Sequence, residues 1–222
     1  KIVAACLNNG VDRVLHMSAL KATSDAPSKY LRSKASGEAN LVASAGNRVN
    51  TTIFRPSVVF GPGDSFFNRF AGLLASIPIG FPLACPNARF APVYVGDVTQ
   101  AFTIALQDKS TFGKAYNLCG PDQYTLAELV RYAARTSGHS RVIWPLGRVT
   151  SRLQATFMQM LPGKPFSVDN YLSMQVDNTC EGDDLAQFGI NATTLDSVVP
   201  SYIGTRNKLA AFTAFRSRAG RD

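Results

Sequence analysis

Apolar and polar positions along the first two thirds of the chain switch repeatedly between helical and strand periodicity. Segments with one apolar residue per helical turn predict helices at 2–7, 30–45, 68–77, 98–107 and 126–137. Short runs rich in apolar and β-branched residues predict strands at 11–17, 49–54, 90–95 and 115–119. This alternation is typical of βαβ units, which build a parallel sheet with helices on both faces.

The pattern changes near Arg141, where prolines begin to punctuate short helical stretches at 149–161 and 167–175. The predicted fold class is therefore α/β, a doubly wound parallel sheet of the Rossmann type followed by a small, mostly helical C-terminal lobe. We expect residues 1–140 to form the sheet domain and residues 141–222 to form the lobe. The segment 63–90 is expected to join the lobe.

Composition and charge narrow the choice of partners. Hydrophobic residues make up 45% of the chain and charged residues 17%, which is typical of a folded domain. The formal charge of +8 favours anionic partners such as a phosphorylated cofactor or acidic lipid. No nucleic-acid-binding motif accompanies the charge, so nucleic acid is not expected as a partner.

The cysteines and the apolar runs carry little functional signal. Cys6, Cys85, Cys119 and Cys180 lack metal-ligand spacing, so we expect free thiols in a reducing compartment and no metal site. The longest apolar run, 70–85, is interrupted by proline and glycine and is too short to span a bilayer. No signal peptide opens the sequence.

Tyr30 and Lys34 are the first candidates for chemistry, because positions i and i+4 face the same side of a helix. A neighbouring ammonium favours the phenolate, so we expect a lowered pKa for Tyr30. Such a tyrosine can exchange a proton with a hydroxyl or carbonyl while a hydride passes to or from nicotinamide. The alternative is that Tyr30 and Lys34 only make a surface contact with each other. Without further context, this second interpretation is the favoured one.

The neighbouring segments bring the pair into a recognisable context. A predicted strand ending at Met17-Ser18 precedes the helix and another ending at Arg55-Pro56 follows it, and ligands of α/β sheets bind at such strand ends. Together with the motifs at 30–38, 55–62 and 93–98, this order resembles the extended and atypical short-chain dehydrogenase/reductases, which include NAD-dependent epimerases and dehydratases. The segments 64–70 and 184–190 resemble one branch of that family, which contains the NAD(P)H-binding accessory subunit of respiratory complex I and its bacterial relatives.

The resemblance implies a catalytic role for Tyr30 as the proton-transfer group and for Lys34 as its partner, both also touching the cofactor. Ser18 lies where the family places a strand-end hydroxyl. Sugar epimerases place that hydroxyl one or two positions later, where this chain has Ala19 and Leu20. Ser18 is therefore equally well interpreted as a strand-end cap.

The resemblance also implies a cofactor, NAD or NADP, with Pro56, Ser57 and Val58 beside the nicotinamide. Asn68 and Arg69 fall in the segment that contacts substrate in sugar-nucleotide relatives. The surrounding residues are apolar, however, and this favours a hydrophobic small molecule or a protein contact.

Three further polar residues have structural interpretations. Asp97 is expected to be the N-cap of the helix that follows it. His16, within an apolar strand, is expected to be a core residue, and His139 a loop residue.

The family's Gly-x-x-Gly-x-x-Gly turn, whose backbone binds the pyrophosphate, has no match in this sequence. The chain also begins with Lys1 inside a helical pattern, so we expect N-terminal residues to be missing. The chain alone is then expected to bind NAD(P) poorly.

Two functions remain open at this point. The first is an NAD(P)-dependent oxidoreductase or epimerase-like enzyme that uses Tyr30 and Lys34. The second is a non-catalytic NADPH-binding accessory protein of complex I or another membrane-side assembly. A helix near Arg152, Phe157, Met158 and Met160 and a basic tail would then face lipid or a partner. The alternative, a core helix and a solvated, frayed tail, is the favoured interpretation of these residues. The expected location is the bacterial cytoplasm or its membrane face, or the mitochondrial matrix in a eukaryote.

Overall fold

The central sheet of the fold has three parallel strands. The structure, a computed structural model, describes residues 1–77, 79–162, 165–182 and 184–203. The strands are β1 (Arg13–Met17), β2 (Asn50–Pro56) and β7 (Ala115–Leu118), in the order β1-β2-β7. Leu15 pairs with Thr52, and Phe54 pairs with Tyr116. The parallel sheet confirms the predicted fold class.

Helices and short strands complete the described part of the chain. The helices are α1 (Ile2–Asn8), α2 (Lys29–Ala45), α3 (Phe67–Ser76), α4 (Val95–Gln107), α5 (Leu126–Thr136), α6 (Arg148–Met158), α7 (Val168–Ser173) and α8 (Leu195–Ile203). Two 3₁₀ turns span Lys109–Thr111 and Ala186–Phe188. The short strands are β3 (Val59–Phe60), β4 (Gly80–Leu83), β5 (Arg89–Phe90), β6 (Val93–Tyr94), β8 (Tyr124–Thr125) and β9 (Val142–Pro145).

Capping explains where α2 begins and ends. The Ser28 hydroxyl accepts a hydrogen bond from the Leu31 N–H, which satisfies one of the free donors of the first turn. Gly46, with φ of 50°, ends the helix in a conformation that glycine adopts at little cost. The sequence-based boundaries of this helix agree with the structure to within one residue.

Asp97 lies inside α4, because the helix begins at Val95. The expectation that Asp97 is the N-cap is therefore wrong. Its buried carboxylate instead accepts hydrogen bonds from the backbone N–H and the hydroxyl of Thr193, at 2.7 and 2.8 Å. The residue fastens a C-terminal segment to the sheet domain.

The C-terminal elements pack against earlier parts of the chain. Strand β9 pairs in parallel with β4, and α5 packs against both α3 and α8. Leu185 and Ile190 join the buried cluster around Phe54, which lies on the central sheet. The domain boundary at residue 141 stays a prediction, and the basic tail from Arg206 to Arg221 lies outside the described residues.

The cysteine prediction is wrong for two of the four residues. Cys119 and Cys180 form a disulfide, with their Cα atoms 6.1 Å apart. Cys6 and Cys85 are free. A separation of 61 residues leaves no local pattern that could have revealed the pair.

Candidate functional site

The carboxyl ends of β1 and β2 and the first turn of α2 meet at one edge of the central sheet. A cavity of about 240 Å³ opens there, and its wall includes Tyr30, Pro56, Ser57 and Val58. Parallel strands place their carboxyl ends together, which explains why residues distant in sequence converge. The structure thus brings together four of the residues that the sequence selected.

Lys34 lies beside Tyr30, but it does not form part of the cavity wall. Its ammonium is 5.9 Å from the centre of the Tyr30 ring and donates a 3.3 Å hydrogen bond to the Met17 carbonyl. Burial raises the pKa of the Tyr30 phenol, although the residue stays about half exposed. The expected lowering is therefore wrong, since desolvation of the phenolate dominates in this arrangement. The raised pKa favours the protonated form of the Tyr30 phenol.

The first turn of α2 is held by a residue that sequence analysis missed. The Asp169 carboxylate accepts hydrogen bonds from the Lys29 and Tyr30 N–H groups, at 2.7 and 3.0 Å. A carboxylate is favourable at a helix N-terminus because it satisfies free donors and complements the helix dipole. Asp169 therefore fixes the backbone from which the Tyr30 phenol projects.

Asn178 is a second missed residue, and it positions the opposite wall. Its side-chain Oδ1 accepts hydrogen bonds from the Ser57 hydroxyl at 2.6 Å and the Val58 N–H at 3.1 Å. The backbone of Asn178 binds on both sides of Phe90, accepting from Ala91 N–H and donating to the Arg89 carbonyl. No sequence signal links residues 57 and 178, because the contact is purely tertiary.

Ser18 is buried and does not line the Tyr30 cavity. At that strand end the cavity wall is formed by Ala19 and by Lys21, whose φ is 60°. Lys21 brings a cation into the wall that the sequence analysis did not single out. The catalytic assignment of Ser18 stays a prediction, and so does its interpretation as a strand-end cap.

Below the site, an ion pair ties α2 to β2. Arg55 Nε lies 2.9 Å from one oxygen of Glu38, whose side chain is buried. Burial alone would raise the pKa of Glu38, but Arg55, the nearby Ser18 hydroxyl and His16 together hold that pKa below its usual range. Burial, with a smaller effect from Lys34, lowers the pKa of His16. His16 is half-buried, and its Nε2 atom has no hydrogen-bond partner among the described residues, so its interpretation as a core residue stays a prediction.

A second cavity, of about 270 Å³, adjoins the first. The two share Phe66, Asn170 and Met174 in their walls. The second cavity is mainly apolar, with Arg69 as the charged member of its lining. Asn68 is exposed and lines neither cavity; its N–H donates to Asp64. The predicted substrate pair is thus split, with Arg69 at the apolar cavity and Asn68 outside it.

The residues at the Tyr30 cavity fit the nicotinamide end of a dinucleotide. The wall offers a phenol, a serine hydroxyl and apolar surface, and Lys34 is one helical turn away. A glycine-rich turn for the pyrophosphate is absent from the sequence. Within the described ranges, no group of three or more His, Cys, Asp or Glu side chains could hold a metal ion, and no helix there is long and apolar enough to cross a membrane.

Comparison with known proteins places these features in a family context. The model of the 3-beta hydroxysteroid dehydrogenase/isomerase family matches residues 19–126. Subunit 9 of the mitochondrial NADH dehydrogenase (ubiquinone) 1 alpha subcomplex from Mus musculus is 29% identical over 200 residues, which cover 88% of this chain and 52% of the mouse protein. The protein of that name from Arabidopsis thaliana is 33% identical over 123 residues, covering 55% of this chain and 30% of the relative.

The chain therefore spans about half the length of the first curated relatives it matches.

Among solved structures, an NADPH-dependent quinone oxidoreductase from Escherichia coli, complexed with NADPH, has a TM-score of 0.70 at 18% identity over 91% of this chain and 69% of that one. A UDP-glucuronic acid 4-epimerase from Bacillus cereus, in complex with UDP-glucuronic acid and NAD, has a TM-score of 0.63 at 18% identity over 91% of this chain and 63% of that one. At such identities these structures support the fold.

Proposed function

We propose that the parent protein of this chain is an NAD(P)-dependent oxidoreductase or epimerase-like enzyme in which Tyr30 is the proton donor. The sequence matches and the fold are of the short-chain dehydrogenase/reductase type, similar to epimerases and to the complex I accessory subunit. One observation carries the proposal: Tyr30 shares a cavity with Pro56, Ser57 and Val58 at the carboxyl ends of the strands.

The chain's own residues have distinct tasks in this proposal. A bound reduced nicotinamide would supply the hydride to the carbonyl carbon of the substrate. The Tyr30 phenol, whose pKa is raised by burial, donates a proton to the carbonyl oxygen of the substrate. Lys34, held near the phenol by the Met17 carbonyl, stabilises the negative charge left on the ring oxygen.

The adjoining apolar cavity supports a hydrophobic substrate rather than a sugar nucleotide. Phe66, Phe70 and Leu73 contribute to its wall, and a sugar would turn many of its hydroxyls toward apolar surface there. Arg69 is the charged residue in the lining of this cavity.

The second candidate function is a non-catalytic, NADPH-binding accessory role in respiratory complex I or another membrane-side assembly. It is supported by the likeness to the mitochondrial subunits and by the position of Ser18 outside the Tyr30 cavity. The location that follows is mitochondrial in a eukaryote, with respiratory subunits as partners and a peripheral membrane contact. A bacterial parent would lie in the cytoplasm or on the inner face of the membrane.

Tyr30→Phe in the intact protein separates the two functions. NADPH oxidation with menadione and with a long-chain aldehyde is expected to fall about 10²-fold or more, because the proton donor is lost. NADPH affinity, measured by fluorescence titration, should stay within about threefold, since the ring remains in the wall. Tyr124→Phe is the matched control, because the Tyr124 hydroxyl bonds to Asp122 and Tyr124 does not line the cavity.

Undiminished turnover by Tyr30→Phe would reject the assigned role. Tight NADPH binding by the wild-type protein without turnover of either substrate would instead support the accessory function.

A further inference from the structure

Helix α6 exposes an apolar stripe on its outward side. Val149, Leu153 and Phe157 follow one another at intervals of four residues and are 82%, 69% and 66% exposed. Residues spaced by four lie on one face of a helix. Met160, 77% exposed, continues the apolar surface just beyond the helix. Four large apolar side chains in solvent form a patch of the kind that marks an interaction site.

The opposite side of α6 anchors the helix to the protein. Ser151 and Ala155 are buried, and the Ser151 hydroxyl accepts a hydrogen bond from the Cys85 N–H at 3.1 Å. Gln154 donates to the Pro82 carbonyl at 3.0 Å. Because these contacts already satisfy the inner face, the exposed stripe is not a misplaced core face.

Charged residues in the sequence of α6 and its flanks have a single sign. From 146 to 168 the sequence contains Arg148, Arg152 and Lys164 and no acidic residue. Both arginines are exposed. Basic residues flanking an apolar helical face are typical of helices that lie in the headgroup region of anionic membranes, where each cation adds to the attraction.

We propose that α6 docks on an anionic lipid surface, with Val149, Leu153 and Phe157 inserted among the acyl chains and Arg148 and Arg152 against the phosphates. The occupant is the membrane rather than a protein partner because the charged residues of the segment 146–168 are all basic. The proposal specifies which helix makes the peripheral membrane contact of the proposed accessory function. It rests on that function, which locates the protein beside a membrane, and it is independent of the chemistry at Tyr30.

The inner side of α6 connects the proposed lipid contact with the apolar cavity. Gln154 and Met158 line the apolar cavity that adjoins the Tyr30 cavity. A docked α6 would therefore separate lipid from the cavity by about one helix diameter, roughly 10 Å. The sequence-based choice of Met158 as a lipid-facing residue is replaced by Val149 and Leu153, since Met158 faces the cavity.

The test is binding of the purified protein to vesicles of phosphatidylcholine with and without phosphatidylglycerol. The double variant Leu153→Glu/Phe157→Glu is expected to lose about tenfold or more in partitioning, because it removes inserted apolar area and adds negative charge. The control is Leu106→Glu, which changes an exposed leucine on α4. Raising the salt concentration should weaken wild-type binding to the anionic vesicles. Circular dichroism checks that each variant is folded.

Several outcomes would overturn the proposal. Equal binding by the double variant and wild type would remove α6 from the lipid contact. No vesicle binding by the wild type would leave a protein as the occupant, and a wild-type dimer that the double variant converts to a monomer would identify a second copy. NADPH affinity of the double variant is measured as well. An affinity equal to that of the wild type shows that the variant affects lipid binding and not the cofactor site at Tyr30.

Discussion

Asn178 offers the sharpest quantitative test of how the cavity wall is held. Asn178→Ala removes the acceptor for the Val58 N–H, which is partly buried at 3.1 Å from Oδ1. A donor left without a partner costs about 1–3 kcal/mol. The Ser57 hydroxyl loses its 2.6 Å bond but keeps the Asn178 backbone carbonyl at 2.9 Å, so it adds little to the cost.

We therefore expect Asn178→Ala to lower the free energy of unfolding by about 2 kcal/mol, which corresponds to roughly 4–8 °C in Tm for a domain of this size. The wall formed by Ser57 and Val58 also loosens, so NADPH affinity should fall. Differential scanning calorimetry measures the first effect and fluorescence titration the second.

Asn178→Asp is the matched variant, because a carboxylate oxygen accepts the same two hydrogen bonds. It should keep more of the wild-type stability and affinity than Asn178→Ala does. A melting temperature for Asn178→Ala equal to the wild-type value, or equal losses in the two variants, would refute the idea that this acceptor holds the wall.

Two further predictions concern elements that support the site. Glu38→Gln should cost about 1–2 kcal/mol at neutral pH, because it weakens the pair with the partly exposed Arg55. The pKa of Glu38 is lower in the folded state than in the unfolded state. The stabilisation by the ion pair is therefore present above the unfolded pKa of about 4.3 and is lost as the pH falls through the folded pKa. Urea titrations that show the same loss of stability for Glu38→Gln down to acidic pH would contradict this reasoning. Reducing the Cys119–Cys180 disulfide should lower stability by about 4 kcal/mol, as expected for a loop closed across 61 residues. A melting temperature that does not respond to dithiothreitol would show that the bond is absent, and Cys180→Ala provides the same comparison without the reductant.

Local features of the fold could be predicted from the sequence because they depend on neighbours in the chain. Helix α2 was placed to within one residue by its periodicity, and the Thr125–Glu128 capping box forms as its spacing suggests. The convergence of Tyr30 with Pro56, Ser57 and Val58 followed from the rule that parallel strands end together.

What the sequence missed depends on tertiary contacts. Asp169 reaches Tyr30 across 139 residues, and Asn178 reaches Val58 across 120. The raised pKa of Tyr30 also required the structure, because desolvation by surrounding groups is not encoded in the spacing of Tyr30 and Lys34.

The four methionines of the chain each occupy a different functional environment. The Met17 carbonyl holds Lys34, Met158 lines the apolar cavity, Met160 belongs to the exposed surface beyond α6, and Met174 lies in the walls of both cavities. Isotopic labelling of their methyl groups would therefore give an NMR spectrum with four resonances. An apolar ligand should shift Met158 and Met174, and lipid should shift Met160, so a single sample could follow both binding events at once.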